Sequence, residues 1–254
     1  MYERLQMIIG KKKPSQIANI VFAIAVLAGI AVLVMLFGAS LGLWQPIDGF
    51  RYYRGWYQNI GYVVCGLSVL TLIYLITKKH LVGKKKAFIS LIIGLGILWP
   101  MISSFVGDSV RYPPIHDITT DTVNPPQFMT LTDDRPGAAN TLVYGGPEIA
   151  AQQIEAFPDI QPIMSSLSPD DAFTKAIQVG EAMGWEIVSS DPAARRFEGT
   201  ARTPVFRFVD DTVVVVSAAP GGSRVDVRSV SRVGRGDIGV NAKRIREFIS
   251  LFNQ

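Results

Sequence analysis

Lys78-Lys79-His80-Leu81-Val82-Gly83-Lys84-Lys85-Lys86 ties a basic knot between two long apolar runs, and no other stretch limits the fold of this chain so strongly. Lysine in a short loop beside membrane spans is retained on the cytoplasmic side, so the knot sets the direction of the spans around it. Ahead of it, Arg4, Lys11, Lys12 and Lys13 precede an uninterrupted apolar run from Ile17 to Leu43. A secretory signal carries only roughly 7–15 apolar residues. This run is long enough to cross the ~30 Å hydrocarbon core with tilt, and it is read as a retained span rather than one cleaved near Gly38-Ala39-Ser40. Further spans are expected over Gln58–Thr77 and Ala87–Val106. Trp44–Tyr57 reads as a short outer loop whose aromatic residues form a belt at headgroup level.

Of the eleven Lys and Arg residues in 1–107, nine then fall on the inner side and two, Arg51 and Arg54, on the outer side. The expectation is a multi-pass protein of a bacterial inner membrane, with a cytoplasmic N-terminus and a periplasmic C-terminal domain. Charge is divided accordingly: residues 1–107 carry a net +9 and residues 108–254 a net −5. The isoelectric point of 9.2 therefore reflects lysines at a membrane surface and does not point to nucleic acid. The spans contain no ionisable side chain other than Cys65 and tyrosine hydroxyls, which weakens a transporter or channel reading. Small residues such as Gly29, Gly61 and Gly94 offer faces for close helix approach, within the bundle or against a partner. Cys65, the sole cysteine, excludes an intrachain disulfide.

The chain divides into a three-span region, 1–107, a proline-rich extended arm, 108–167, and an α+β domain, 168–254. Eight of the fifteen prolines lie in the arm, which disfavours long helices there. Its interleaved Tyr112, Ile115, Ile118, Phe128, Leu131, Val143, Tyr144 and Phe157 mark it as packing on the folded domain. Ser168-Pro169-Asp170-Asp171 is a helix start, running to about Gly184. Strands are expected over Trp185–Ser190, Arg196–Thr203, Val205–Val209 with Thr212–Ala218, and Arg224–Val233. An amphipathic helix follows over Asp237–Phe252. The fold class is thus α+β: a three-helix transmembrane bundle followed by an antiparallel sheet of about four strands and two helices.

Several blocks, in order, resemble the domain-of-unknown-function family numbered 1499. They are Arg111-Tyr112-Pro113-Pro114-Ile115-His116-Asp117-Ile118-Thr119-Thr120-Asp121, Asn124-Pro125-Pro126, Arg207-Phe208-Val209-Asp210-Asp211 and Ser223-Arg224-Val225-Asp226-Val227-Arg228-Ser229. Ser231-Arg232-Val233-Gly234-Arg235, with Asp237, Gly239, Asn241 and Ala242, completes the series. The resemblance spans nearly all of Arg111–Phe252. It implies a domain found in bacteria and photosynthetic plastids, and no established reaction.

Function must then be read from side chains. His116, Asp117 and Asp121 are residue types that bind metal, yet one histidine in a proline-rich arm reads first as a hydrogen-bonded tether. No phosphate loop, Gly-x-Ser-x-Gly elbow or zinc-spaced cysteine pair is present, and no cofactor is expected. Arg224, Asp226 and Arg228 share one strand face, with Val225 and Val227 on the other. With Arg232, Arg235 and Asp237 they form a charged ribbon. Residues 108–194 hold three bases against thirteen acids and residues 195–254 eleven against six, a split that fits an acidic arm lying on a basic sheet. The ribbon is either this internal seam or a surface for an anionic partner. The expected function is a membrane-anchored accessory or scaffold protein that binds another envelope component, with the bilayer and a membrane protein or a second copy as partners. The alternative is an envelope hydrolase built on a cleft of His116, Asp117, Asp121, Asp210 and Asp211.

Overall fold

The computed structural model describes residues 15–79, 82–106 and 112–254. Arg4, Lys11, Lys12 and Lys13 of the basic start, His80 of the knot, and Arg111 lie outside the described residues. The chain divides into two compact units, Met1–Ser109 and Val110–Gln254.

The N-terminal unit holds α1 (Gln16–Phe37), α2 (Pro46–Thr77) and α3 (Lys84–Val106), each containing a segment long and apolar enough to cross a membrane. Ser15 opens α1 by accepting the Ala18 N–H at 3.3 Å, satisfying a donor that has no partner within the helix. The stretch Trp44–Tyr57, expected as a loop, is instead helical from Pro46 onward. Proline fits the first turn because its missing N–H is not needed there, and Asp48 in the same turn favours the helix dipole. Tyr53 stacks on Tyr57 one turn later at 4.7 Å. The 32-residue α2 is about 48 Å long, more than the ~30 Å core requires, and it carries the aromatic residues expected in the outer loop. Gly94 lets α3 approach α2: a Cβ there would lie 2.6 Å from Cys65 Sγ.

The C-terminal unit contains β1 (Asp117–Thr119), α4 (Gly146–Ala156), β2 (Ile163–Ser165), α5 (Pro169–Ala182) and β3 (Glu186–Asp191). It continues with β4 (Arg196–Arg202), β5 (Val209–Ala219), β6 (Gly222–Ser231) and α6 (Val240–Phe252). The architecture is the α+β fold expected, with three apolar helices ahead of an antiparallel sheet. The sheet order is β1-β6-β5-β4-β3, with β2 also on β6. The two strands beyond the four expected come from the arm. β1 pairs Asp117–Thr119 with Val230–Arg228, and β2 pairs Ile163–Ser165 with Val225–Ser223, along the same edge of β6. The arm also carries the 11-residue α4, which places Pro147 in its first turn, where proline is tolerated.

Val205–Val209 differs from expectation. Pro204, Val205 and Phe206 form a turn, Arg207 has φ of 63°, and the strand begins at Val209. One face of the sheet presents Phe197, Val214, Val216, Val225 and Val227 to Phe173, Ala176, Ile245 and Phe248 of α5 and α6. Trp185 stacks on Phe248 at 5.4 Å within this core. The opposite face lies under the arm.

Candidate functional site

Alternation along β4, β5 and β6 sends Glu198, Asp211, Val213, Asp226 and Arg228 to the arm-covered face. Arg228 is fully buried there. Its Nε and Nη2 donate to the two Asp117 carboxylate oxygens at 2.9 and 2.7 Å, the planar fork matching the carboxylate. Nη1 donates to the Pro126 carbonyl at 3.0 Å and Nη2 also to that of Leu142 at 2.7 Å. The rings of Phe128 and Tyr144 lie 5.3 and 5.4 Å from the guanidinium carbon, in cation–π range. One arginine thus holds three separated segments of the arm. Burial pushes the Tyr144 hydroxyl up to about 12, with the nearby Asp117 charge adding to the shift.

Asp211, also fully buried, joins a second seam. Arg232 binds it from the end of β6, with Nη2 to Oδ1 at 2.7 Å, and Arg135 reaches it from the arm. Arg232 Nη1 donates to the Pro136 carbonyl at 2.8 Å and Arg135 Nη2 to that of Asn140 at 3.0 Å. Glu198 makes the reciprocal arrangement. Its buried carboxylate accepts the backbone N–H groups of Met129, Thr130 and Leu131, at 2.6, 3.1 and 2.7 Å. Arg224 pairs with Asp121 at 2.6 Å and Asp226 at 2.7 Å.

The neighbouring Asp210 points to the helix side, where Arg244 of α6 binds it at 2.6 Å. Asn241 sits beside this pair, donating to the His116 carbonyl at 3.0 Å and to Ser231 Oγ at 2.9 Å. Asp237 accepts the N–H groups of Gly239 and Asn241 at 2.9 and 2.6 Å, fixing the approach to α6. Burial raises its pKa against those two hydrogen bonds, and the Asp210 charge raises it further.

The structure therefore joins Asp117 with Arg228, Asp121 with Arg224, Asp226 with Arg224, and Asp211 with Arg232. It does not gather His116, Asp117, Asp121, Asp210 and Asp211 into one cleft, because Asp210 and Asp211 fall on opposite faces and the carboxylates are taken by different arginines. His116 Nδ1 lies 3.3 Å from the Arg235 carbonyl, and the Arg235 side chain is exposed. Among the described residues, no group of three or more His, Cys, Asp and Glu is placed to hold a metal ion. Arg135, Glu198 and Arg244 share in the seams without having been singled out in the sequence. Of these, Glu198 alone carries a sequence signal, as one of the polar residues Arg196, Glu198, Thr200 and Arg202 that alternate along β4.

A shallow cavity of about 240 Å³ opens on the arm, lined by residues that include Phe128, Met129, Leu131, Asp133, Leu142 and Val143. The Leu142 N–H and the Thr141 hydroxyl hold the Asp133 carboxyl below the usual range at its rim. A family model described as "Protein of unknown function (DUF1499)" matches residues 117–252. In comparison with curated proteins, nothing matches the chain.

Proposed function

This chain belongs to the family of proteins of unknown function DUF1499, and from that premise we propose a membrane-anchored accessory or scaffold protein whose C-terminal unit binds another component of the cell envelope. Three helices long and apolar enough to span a bilayer support the anchoring. The lysine distribution supports a cytoplasmic N-terminus and a periplasmic C-terminal unit in a bacterial inner membrane. The observation that carries the reading is the consumption of Asp117, Asp211 and Arg228 in buried arm-to-sheet ion pairs. A general base or nucleophile needs access to substrate, and these groups are enclosed. A protein whose charged residues fasten an irregular arm onto a sheet has its outer loops left to meet a partner.

The test is purification of the full chain in gentle detergent, with native mass spectrometry and an assay of envelope-polymer hydrolysis on the same sample. A stoichiometric membrane-protein partner or a defined self-assembly is the expected result. A chain that runs alone and hydrolyses the polymer, with activity lost in His116→Ala, overturns the reading in favour of the hydrolase.

A further inference from the structure

Where the loop after β6 turns into α6, Ile238 is 64% exposed, Val240 is 37% exposed, and the backbone is held in an unusual shape. Ile238 has φ of +55°, a region that a β-branched residue adopts only when its surroundings impose it. Those surroundings are visible: the Asp237 carboxylate grips the Gly239 and Asn241 N–H groups, and the Asp237 N–H donates to the Ile115 carbonyl at 3.2 Å. The ring of Tyr112, itself 41% exposed, packs over Gly239 so closely that a Cβ there would lie 2.4 Å from it. Tyr112, Ile238 and Val240 thus form one apolar tip. Arg235 and Lys243, both exposed, flank it in sequence, and neither has an ion-pair partner among the described residues.

Only residues 107–111 separate Val106, the end of α3, from Tyr112. The 23 residues of α3 rise about 34 Å, close to the ~30 Å core, which brings its end to headgroup level. Five residues more, even fully extended, reach about 20 Å. Tyr112 is therefore tethered near the lipid surface by covalent length alone. An exposed aliphatic pair, a tyrosine and two free cations are the side chains that an anionic bilayer interface accepts.

We infer that the Tyr112, Ile238 and Val240 tip, flanked by Arg235 and Lys243, docks the C-terminal unit onto the bilayer surface at anionic headgroups. This rests on anchoring of the chain by α1–α3, and the experiment separates the two. The full chain carrying Cys65→Ala receives a single environment-sensitive fluorophore at Ile238→Cys, at Leu70→Cys on an exposed position of α2, or at Met164→Cys. Met164 is exposed and pairs with Arg224, toward the opposite end of β6 from the tip. Each form is reconstituted in phosphatidylcholine vesicles with or without phosphatidylglycerol, containing lipid spin-labelled near the headgroup or deep in the chain.

The Leu70 label should lose emission to the deep spin label. The Ile238 label should lose emission to the shallow one, more so with phosphatidylglycerol, while the Met164 label keeps its emission. Arg235→Glu with Lys243→Glu should remove the phosphatidylglycerol dependence. Quenching at Leu70 with none at Ile238 overturns the docking and leaves the anchoring intact. Absence of quenching at Leu70 overturns the anchoring, and the docking with it. A blue-shifted but unquenched Ile238 label means that protein covers the tip, which also overturns the docking.

Discussion

On one face of the C-terminal sheet, Val214, Val216, Val225 and Val227 meet two helices through carbon; on the other, Glu198, Asp211 and Arg228 meet the arm through charge. The difference follows from what each covering layer leaves unpaired. A helix bonds its own backbone and needs only an apolar surface to lie on. The loops of the arm between its first strand and its helix bring free N–H and C=O groups, which are costly to bury unpartnered. Glu198 takes the N–H groups of Met129, Thr130 and Leu131, and Arg228 gives to the carbonyls of Pro126 and Leu142. The ion pairs on this face thus complete the hydrogen bonding of the arm as well as neutralising each other.

The contrast can be broken most severely at Arg228. Arg228→Met leaves Asp117 buried and unpaired, a change worth about 3–5 kcal/mol. The expected outcome is lower protection from hydrogen exchange in β1 and β6, with rapid protease cleavage of the arm in the full chain in detergent. Arg228→Met combined with Asp117→Leu should recover part of that loss. Full recovery would show that the Pro126 and Leu142 carbonyls do not depend on the guanidinium, and that charge neutralisation alone sets the role of Arg228.

On the apolar face even a small truncation should be felt locally. Ile245→Val removes one methylene from a fully buried site and should cost about 1 kcal/mol. Exchange should rise in β5 and α6 while the protease resistance of the arm is unchanged. Simultaneous release of the arm would mean that the two faces unfold as one unit.

The smallest effect is expected at the half-exposed pair of Asp159 in the arm and Arg246 on α6. The hydrogen bond from Arg246 holds the Asp159 carboxyl below its ordinary range, although both side chains are about half exposed. A depressed folded pKa means that stability is present above the unfolded value and is lost as pH falls through the folded one. Asp159→Asn should therefore cost about 0.5 kcal/mol at neutral pH, as for other solvent-screened pairs. The difference from the parent should vanish in acid, once the parent carboxyl is protonated, in unfolding curves taken at the two pH values. An unchanged difference in acid would assign the effect to packing.

Where the arm-to-sheet site lies was partly legible. A period of two put Arg224, Asp226 and Arg228 on one face and their valines on the other, as found. An arm bearing acids beside a sheet bearing arginines also fits Asp117 and Asp121. The reversed pairs could not be read: Arg135 belongs to the arm and Asp211 to the sheet, and Glu198 binds arm backbone as well as its strand neighbour Arg196. Asp210 and Asp211 looked like a break between strands because aspartate disfavours strand, yet both lie inside β5. Arginines from α6, from just past β6 and from the arm neutralise them there.

By itself, then, the sequence determined whatever rests on local pattern: the apolar lengths of the three helices, the lysine knot between them, the helix start at Ser168, the alternation along β6 and family membership. Which charges are buried together, and which backbone groups they serve, follows from the packing of distant segments. Arg228 and Asp117 stand 111 positions apart, and no periodicity links residues whose contact depends on the path of the chain between them.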